Sequence, residues 1–191
     1  MSNTWRRTDH PDLATHRILD AAGKVFGELG VSAAGMNEIA EASGCSRGTL
    51  YRYFESRHAL HVAYVQREAR RIAARLREAT HGVRGARERI VRSIEIAVRE
   101  VRSQPGTAAW FAPAASGLGA RMSRSPEVAR TLGEAFGSEL LGGVRNSLLS
   151  RWVVRVIVSL LQDPAEGPAE EHALLERFVA PALTRGGEAR R

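Results

Sequence analysis

Apolar residues return every three or four positions between Leu13 and Leu29, at Ile18, Leu19, Ala22, Val25, Phe26 and Leu29, and the run stops at Gly30. That spacing is the period of a helix with one buried stripe, closed by a residue suited to a left-handed C-cap. Two short segments follow. Met36 to Ser43 places Met36, Ile39 and Ala40 on one face and meets Gly44, while Ser46 to Phe54 places Leu50 and Phe54 on one face and Arg47 and Tyr51 on another. Ser46 is the natural N-cap of the second segment, and Cys45 before it stands four helical positions from Leu50, the arrangement of a hydrophobic staple. Two short amphipathic helices joined by a tight Gly-x-Ser turn predict a helix-turn-helix.

The pattern continues in longer elements. Ser56 is a candidate N-cap for a helix from about Arg57 to Thr80, marked by Leu60, Ala63, Tyr64, Ile72 and Leu76. Gly82 and Gly85 interrupt it, and Ala86 to Ser103 resumes with Ile90, Ile94, Ala97 and Val101 before Pro105. Gly106 to Met122 is rich in Ala and Gly, and Pro113 must kink or divide any helix there. Ser125 and Pro126 form an N-cap and N1 pair for a helix carrying Val128, Leu132, Phe136 and Leu140, which fades at Gly142 and Gly143. Leu148 to Leu161 is apolar nearly all round, and Glu170 to Leu183 repeats Leu174, Leu175, Phe178, Val179 and Leu183 across the loop Asp163 to Pro168. No strand-period segment or internal repeat interrupts this series. The expectation is an all-α fold of about nine helices, with a helix-turn-helix unit over 1–57 that includes a disordered N-terminal arm over about 1–11, and a helical module over 58–191.

Composition narrows the partners. The chain of 191 residues carries a net charge of +7, which favours polyanions. Residues 1–57 balance seven basic against seven acidic side chains, whereas Ser43 to Arg77 holds eight basic residues against Glu55 and Glu68. The charge therefore rises from the second short helix onwards. The opening MSNTWRRTDHPDL has no apolar signal core, and the greasiest run, Trp152 to Leu161, is ten residues long and contains Arg155, so neither secretion nor a membrane span is expected. One cysteine forbids an internal disulfide and fits a reducing cytoplasm. Cys45 reads best as a small apolar residue filling the turn.

Candidate chemistry is sparse. His58 and His61 are three apart on a helix, but no third ligand joins them, and a solvated face is the expected reading; no metal and no cofactor are expected. There is no GxSxG, phosphate loop, HExxH or EF-hand string, so no enzyme is expected. The stretch Arg67 to Arg77 offers only Ile72, Leu76 and alanines as an apolar face, too little for a membrane surface. In the second module, Trp110, Phe111, Leu118, Met122, Phe136, Leu140, Trp152 and Val156 are candidates to line an apolar pocket, with ordinary core packing as the alternative. Arg155 is placed to meet an acidic ligand or Glu139.

The sequence FGELG, then IAEASGCSRGTLYRYF, then SRHAL and a long helix, resembles the amino-terminal domain of the tetracycline-repressor (TetR) family over about residues 15–65, and RWVVRVIVSLLQDP with LLERFVAPAL resembles carboxy-terminal domains of such regulators. The resemblance implies an all-helical homodimer that binds double-stranded operator DNA through the major groove and carries a pocket for a small hydrophobic effector. Ser46, Arg47, Gly48, Thr49, Tyr51, Tyr53 and Arg57 fall on the positions implied to contact DNA. Arg47, Gly48 and Tyr51 approach base edges; Thr49, Tyr53 and Arg57 approach phosphates. Arg47 can fork onto guanine, Gly48 lets the backbone come close, and Tyr53 has the alternative of packing beside Phe54. The last two helices, through Leu149, Val153, Ile157, Leu160, Leu174, Leu175 and Phe178, are the implied dimer face; burial of both within the monomer is the alternative. Where many members have a Thr pair opening the second helix, this chain has Ala34 and Gly35, so a hydroxyl cap and a phosphate contact are missing. Ser32 or backbone amides are the available substitutes, and Arg6 and Arg7 lie in the arm. A repressor released by its effector is the expected function. An effector-independent regulator or activator, and a small-molecule-binding protein with vestigial DNA contacts, are the other readings.

Overall fold

The computed structural model describes residues 11–115, 117–140 and 147–188, and all regular structure among them is helical. Arg6 and Arg7 lie outside the described residues. Helix α1 (Pro11–Leu29) buries Ala14, Ile18, Ala22 and Phe26 completely and ends at Gly30, whose φ of 79° only glycine adopts easily. Leu29, which the stripe predicts to be inside, is instead exposed, because it is the last residue before the chain turns away. Helices α2 (Met36–Ser43) and α3 (Arg47–Tyr53) follow, with Gly44 in the left-handed region between them. Helix α4 (Arg57–Thr80) begins at Ser56, whose hydroxyl accepts the Ala59 amide.

The second module comprises α5 (Ala86–Ser103), α6 (Pro105–Ala108), a 3-10 turn at Pro113–Ala115, α7 (Leu118–Ser123), α8 (Pro126–Leu140) and α9 (Ser147–Gln162). Pro126 opens α8 as expected, but the Ser125 hydroxyl is buried without a partner and makes no cap bond. The final helix differs from the sequence expectation. Helix α10 (Pro168–Leu174) passes through a π turn (Leu175–Val179) into α11 (Ala180–Glu188), so the helix runs on past Leu183, where the apolar repeat ends. The Ala180 amide reaches back five residues to the Leu175 carbonyl. Pro181, with no amide to give, sits immediately after this widened turn, at the position where ordinary helical bonding could not continue.

Two apolar clusters hold these elements. The first joins α1, α2, α3 and the first turns of α4, through Leu60 and Tyr64, to Trp110, Met122 and Val128 of the second module. The second gathers Ile72 and Leu76 of α4 with α5, α8, α9 and the last helices. Helix α4 therefore belongs to both cores, and α6 lies against α1.

The α1–α6 contact is made through glycine. Gly23 and Gly27 share a face of α1; a Cβ on Gly27 would stand 2.8 Å from the Pro105 Cβ. A Cβ on Gly106 would run into the Gly23 carbonyl and stand 2.6 Å from the Tyr64 hydroxyl. Backbone thus meets backbone where the helix-turn-helix unit joins the second module.

Candidate nucleic-acid interface and apolar cavity

The local chemistry of α3 decides which side chains face outward. Leu50 and Phe54 are buried in the first cluster and fix the helix on its inner side. The Ser46 hydroxyl accepts the Thr49 amide at 3.0 Å and lies 2.9 Å from the Thr49 hydroxyl, so both hydroxyls serve the N-cap. Arg47, Gly48 and Tyr51 are exposed, and the Arg47 guanidinium lies 5.5 Å over the Tyr51 ring. Gly48 has open space around it: an added Cβ would meet only the Ser46 hydroxyl, at 3.9 Å. Nothing in the fold requires glycine there. Tyr53 is half-buried against the first cluster, beside Cys45, whose thiol is 3.2 Å from the Ser43 hydroxyl.

Arg57 departs from its expected place. Its Nη2 donates to the carbonyls of Val31 at 2.6 Å and Ser32 at 2.8 Å, and its Nε is buried without a partner. The cation is committed to the turn between α1 and α2 rather than held out for a phosphate, because those carbonyls have no helical partners of their own. The start of α2 is settled in the same region. Gly35 is its N-cap and has no side chain, but the Glu38 carboxylate accepts the Gly35 amide at 3.0 Å, which supplies one half of a capping box. Ser32 donates instead to the Ala114 carbonyl, at 3.4 Å, so it does not replace the missing hydroxyl cap.

The second module contains an apolar cavity of about 100 Å³. Trp110, Phe111, Met122 and Phe136 line it as expected. Leu118 packs towards the first cluster, and Trp152 and Val156 lie half-buried on the flank of α9, so these three are not on the wall. The Leu140 side chain lies outside the described residues. Bulk alone selected those three, whereas the wall is set by helix phase. On α9 the wall is made by Val154, Ile157, Val158 and Leu161, spaced i, i+3, i+4 and i+7, and Trp152 and Val156 lie off that face. The wall residues missed in sequence come largely from α4: Tyr64, Glu68 and Ile72, spaced i, i+4, i+8 on one face. Glu68 is neutralised by Arg67 at 2.9 Å and Arg71 at 2.8 Å; these arginines also reach Asp20 of α1 and Glu100 of α5.

Tyr64 and Trp110 serve both the cavity and the first core. The Phe26 ring stands 5.0 Å from Tyr64 and 5.5 Å from Trp110, edge to face in each case. His61 completes this aromatic group, 5.4 Å from Phe26 and 5.0 Å from Trp110. It is buried, not on a solvated face, and its Nε2 has no partner. Burial, with the charges of Arg57 and His58 nearby, pushes its imidazole down to about 4. Among the described residues no three metal-binding side chains come together, and no helix is long and apolar enough to cross a membrane.

The expected dimer face also changes. Val153, Ile157 and Leu175 are buried in the second core of their own chain and have no surface to give to a second subunit. Leu149 and Leu160 are half-buried, whereas Leu174 and Phe178, at i and i+4, are exposed, Phe178 by 61%.

The model for bacterial regulatory proteins of the tetR family matches residues 18–64, the span from the α1 core to Tyr64. An HTH-type transcriptional regulator of Mycobacterium tuberculosis, Rv1255c, is 41% identical over 189 residues, which is 98% of this chain and 94% of that one. The chain belongs to the TetR family. It is a DNA-binding transcriptional regulator with the family's helix-turn-helix. Among solved structures, the TetR family repressor AlkX from Dietzia sp. superposes with a TM-score of 0.67 at 20% identity, covering 96% of this chain and 98% of that one. FadR from Bacillus subtilis, in complex with stearoyl-CoA, superposes with a TM-score of 0.56 at 16% identity, over 90% and 98% of the two chains.

Proposed function

We propose that this TetR-family chain is a homodimeric repressor of a palindromic operator, released when a small apolar effector enters the cavity. Residues 1–57 form the reading head and residues 58–191 the effector and dimerisation module. The observation that carries this reading is the double membership of Tyr64 and Trp110, which line the cavity on one side and pack on Phe26 of α1 on the other. A ligand that displaces either ring must move α1 or α4, and α3 shares the first apolar core with both. The shift in population is set by the difference in ligand affinity between the two arrangements. That FadR binds stearoyl-CoA and AlkX is a repressor supports the class of effector and the sign of control. Leu174 and Phe178, with Leu149 and Leu160, supply the apolar face for the second subunit. Two heads then enter successive major grooves about 34–36 Å apart.

Within the head, Ser46, Arg47, Gly48, Thr49, Tyr51 and Tyr53 meet the DNA. Arg47 reads guanine and Gly48 keeps the backbone close to the groove. An operator selected from random duplex DNA and titrated by fluorescence anisotropy tests these roles. Arg47→Ala relaxes base preference at one position per half-site by about 1–3 kcal/mol. Gly48→Ala weakens binding although it leaves the fold intact or stabilises it by up to about 1 kcal/mol. Unchanged affinity in both variants rejects the assignment.

Arg57 is proposed as the strut of the α1–α2 turn. Arg57→Ala lowers stability by about 1–3 kcal/mol, the range of a charge-assisted bond lost to buried carbonyls, while the slope of log affinity against log salt stays at the wild-type value. A slope smaller by about one unit would return Arg57 to the phosphate backbone.

The size of the cavity favours a second reading, an effector-independent regulator or activator in which the module serves dimerisation only. About 100 Å³ is less than the ~300–1,000 Å³ of ordinary ligand sites. A thermal-shift series with apolar acids and their neutral analogues separates the two readings, because a ligand that binds the folded state raises the midpoint with concentration.

A further inference from the structure

Beside the apolar cavity lies a second hollow of about 490 Å³, between the α7–α8 junction and α9. Ser123 and Val154 belong to the walls of both, so the two spaces adjoin. They differ in charge. The cavity wall is apolar apart from Glu68, Thr107 and Ser123, whereas the second hollow presents Arg124, Arg151 and Arg155, all exposed.

None of these three arginines has an ion-pair partner among the described residues, although other arginines of the chain do. Arg151 and Arg155 stand at i and i+4 on α9, a spacing at which like charges destabilise a helix. Three guanidiniums around one hollow, with no carboxylate partner among the described residues, are a poor device for stability and a good one for holding a carboxylate or phosphate. The volumes point the same way. The cavity alone is small for a ligand, and the arginine hollow adds the cationic groups that the cavity wall lacks. Joined, they reach the ~300–1,000 Å³ of ordinary ligand sites, with the usual division into an apolar body and a few placed polar groups.

We propose that the cavity and the arginine hollow form one bipartite site for an amphipathic anion. Its acyl chain lies in the cavity, passes Ser123 and Val154, and ends in an anionic head among Arg124, Arg151 and Arg155. The proposal rests on the reading of the cavity as the effector site and adds the class of effector to it.

Calorimetric titration of the full chain with dodecanoate, dodecanoyl-CoA, 1-dodecanol and free coenzyme A tests it. The neutral alcohol reports on the cavity alone, and free coenzyme A on the hollow alone. The expected result is that at least one acyl anion binds about tenfold or more tightly than dodecanol. In Arg151→Gln/Arg155→Gln, and to a smaller extent in Arg124→Gln, that anion falls to the level of dodecanol, whose own affinity is unchanged. Stronger gain for dodecanoate or for dodecanoyl-CoA identifies the head as carboxylate or phosphate. Equal binding of alcohol and anions, or anion affinity that survives the double substitution, overturns the head site and leaves the cavity reading standing. Free coenzyme A binding as tightly as its acyl ester also overturns the bipartite site. Failure of all four probes to bind overturns both readings.

Discussion

Gly106→Ala is expected to lower the free energy of unfolding by about 1–3 kcal/mol, the usual cost of forcing a methyl group into packed structure. The direction is opposite to the intrinsic preference of a helix, in which alanine is favoured over glycine by about 1 kcal/mol. The contact wins because the new Cβ would press on the Gly23 carbonyl, which is backbone and cannot rotate away, and on the Tyr64 hydroxyl 2.6 Å off, whose ring is itself packed against Phe26 and Trp110. Helix α6 must then lift from α1, and the reading head loses its seat on the second module. In chemical denaturation the midpoint falls; in a thermal scan each kcal/mol appears as about 2–4 °C for a chain of this size. Gly48→Ala is the matched control, since the same substitution at a site with open space costs nothing in stability. If the two variants unfold alike, the glycine junction is not the rigid joint that the distances describe. Operator binding adds a second readout: Gly106→Ala is expected to reduce affinity without touching a residue proposed to face DNA, whereas Gly48→Ala is expected to reduce it at the proposed surface of contact.

A comparable effect is expected from pH through His61. The unfolded chain takes up a proton on this imidazole near its ordinary value of 6.5, the folded chain only near 4. Between those values the unfolded state holds more proton, so falling pH favours unfolding. The contribution of neutral His61 is complete above about 6.5, declines as pH falls towards 4, and amounts to at most about 3 kcal/mol. The cause is geometric: the ring is buried against Phe26 and Trp110, with Arg57 and His58 adding positive charge. His61→Leu, close in volume, removes that part of the slope even where it shifts the baseline. The quantity to measure is the difference between wild type and variant in unfolding free energy at pH 7.5, 6, 5 and 4. Parallel curves would show that His61 does not titrate differently in the two states. The same protonation places a charge at the joint between cavity and reading head, so operator affinity is expected to drop over the same window in the wild type and less in the variant.

The helix bounds were largely legible in the sequence because caps and periodicity are local. Ser46 and Ser56 accept the amides three residues on, Gly44 takes the left-handed turn, and α2, α4 and α5 begin and end where the pattern changes. The π turn before Pro181 escaped because a proline inside an apolar repeat marks a disturbance without saying how the helix absorbs it. Apolar periodicity also misjudged α9: it shows that the helix is apolar nearly all round, and only its neighbours decide that Val153 and Ile157 face the chain's own core while Trp152 and Val156 lie at the flank.

What the sequence by itself determined is the second helix of the helix-turn-helix and its inner and outer faces, since Leu50, Phe54, Arg47 and Tyr51 are sorted by their spacing within two turns. It also determined the family, through a string of residues that sit close together in the chain. What only the tertiary structure decided is everything that depends on residues far apart: Arg57 turning to carbonyls 25 and 26 positions earlier, Gly106 seated on Gly23, and Tyr64 and Trp110 joining a cavity to the core of the reading head. A side chain's direction at such places is set by whichever unpaired group or empty volume the packed helices bring to it. No local period encodes that choice.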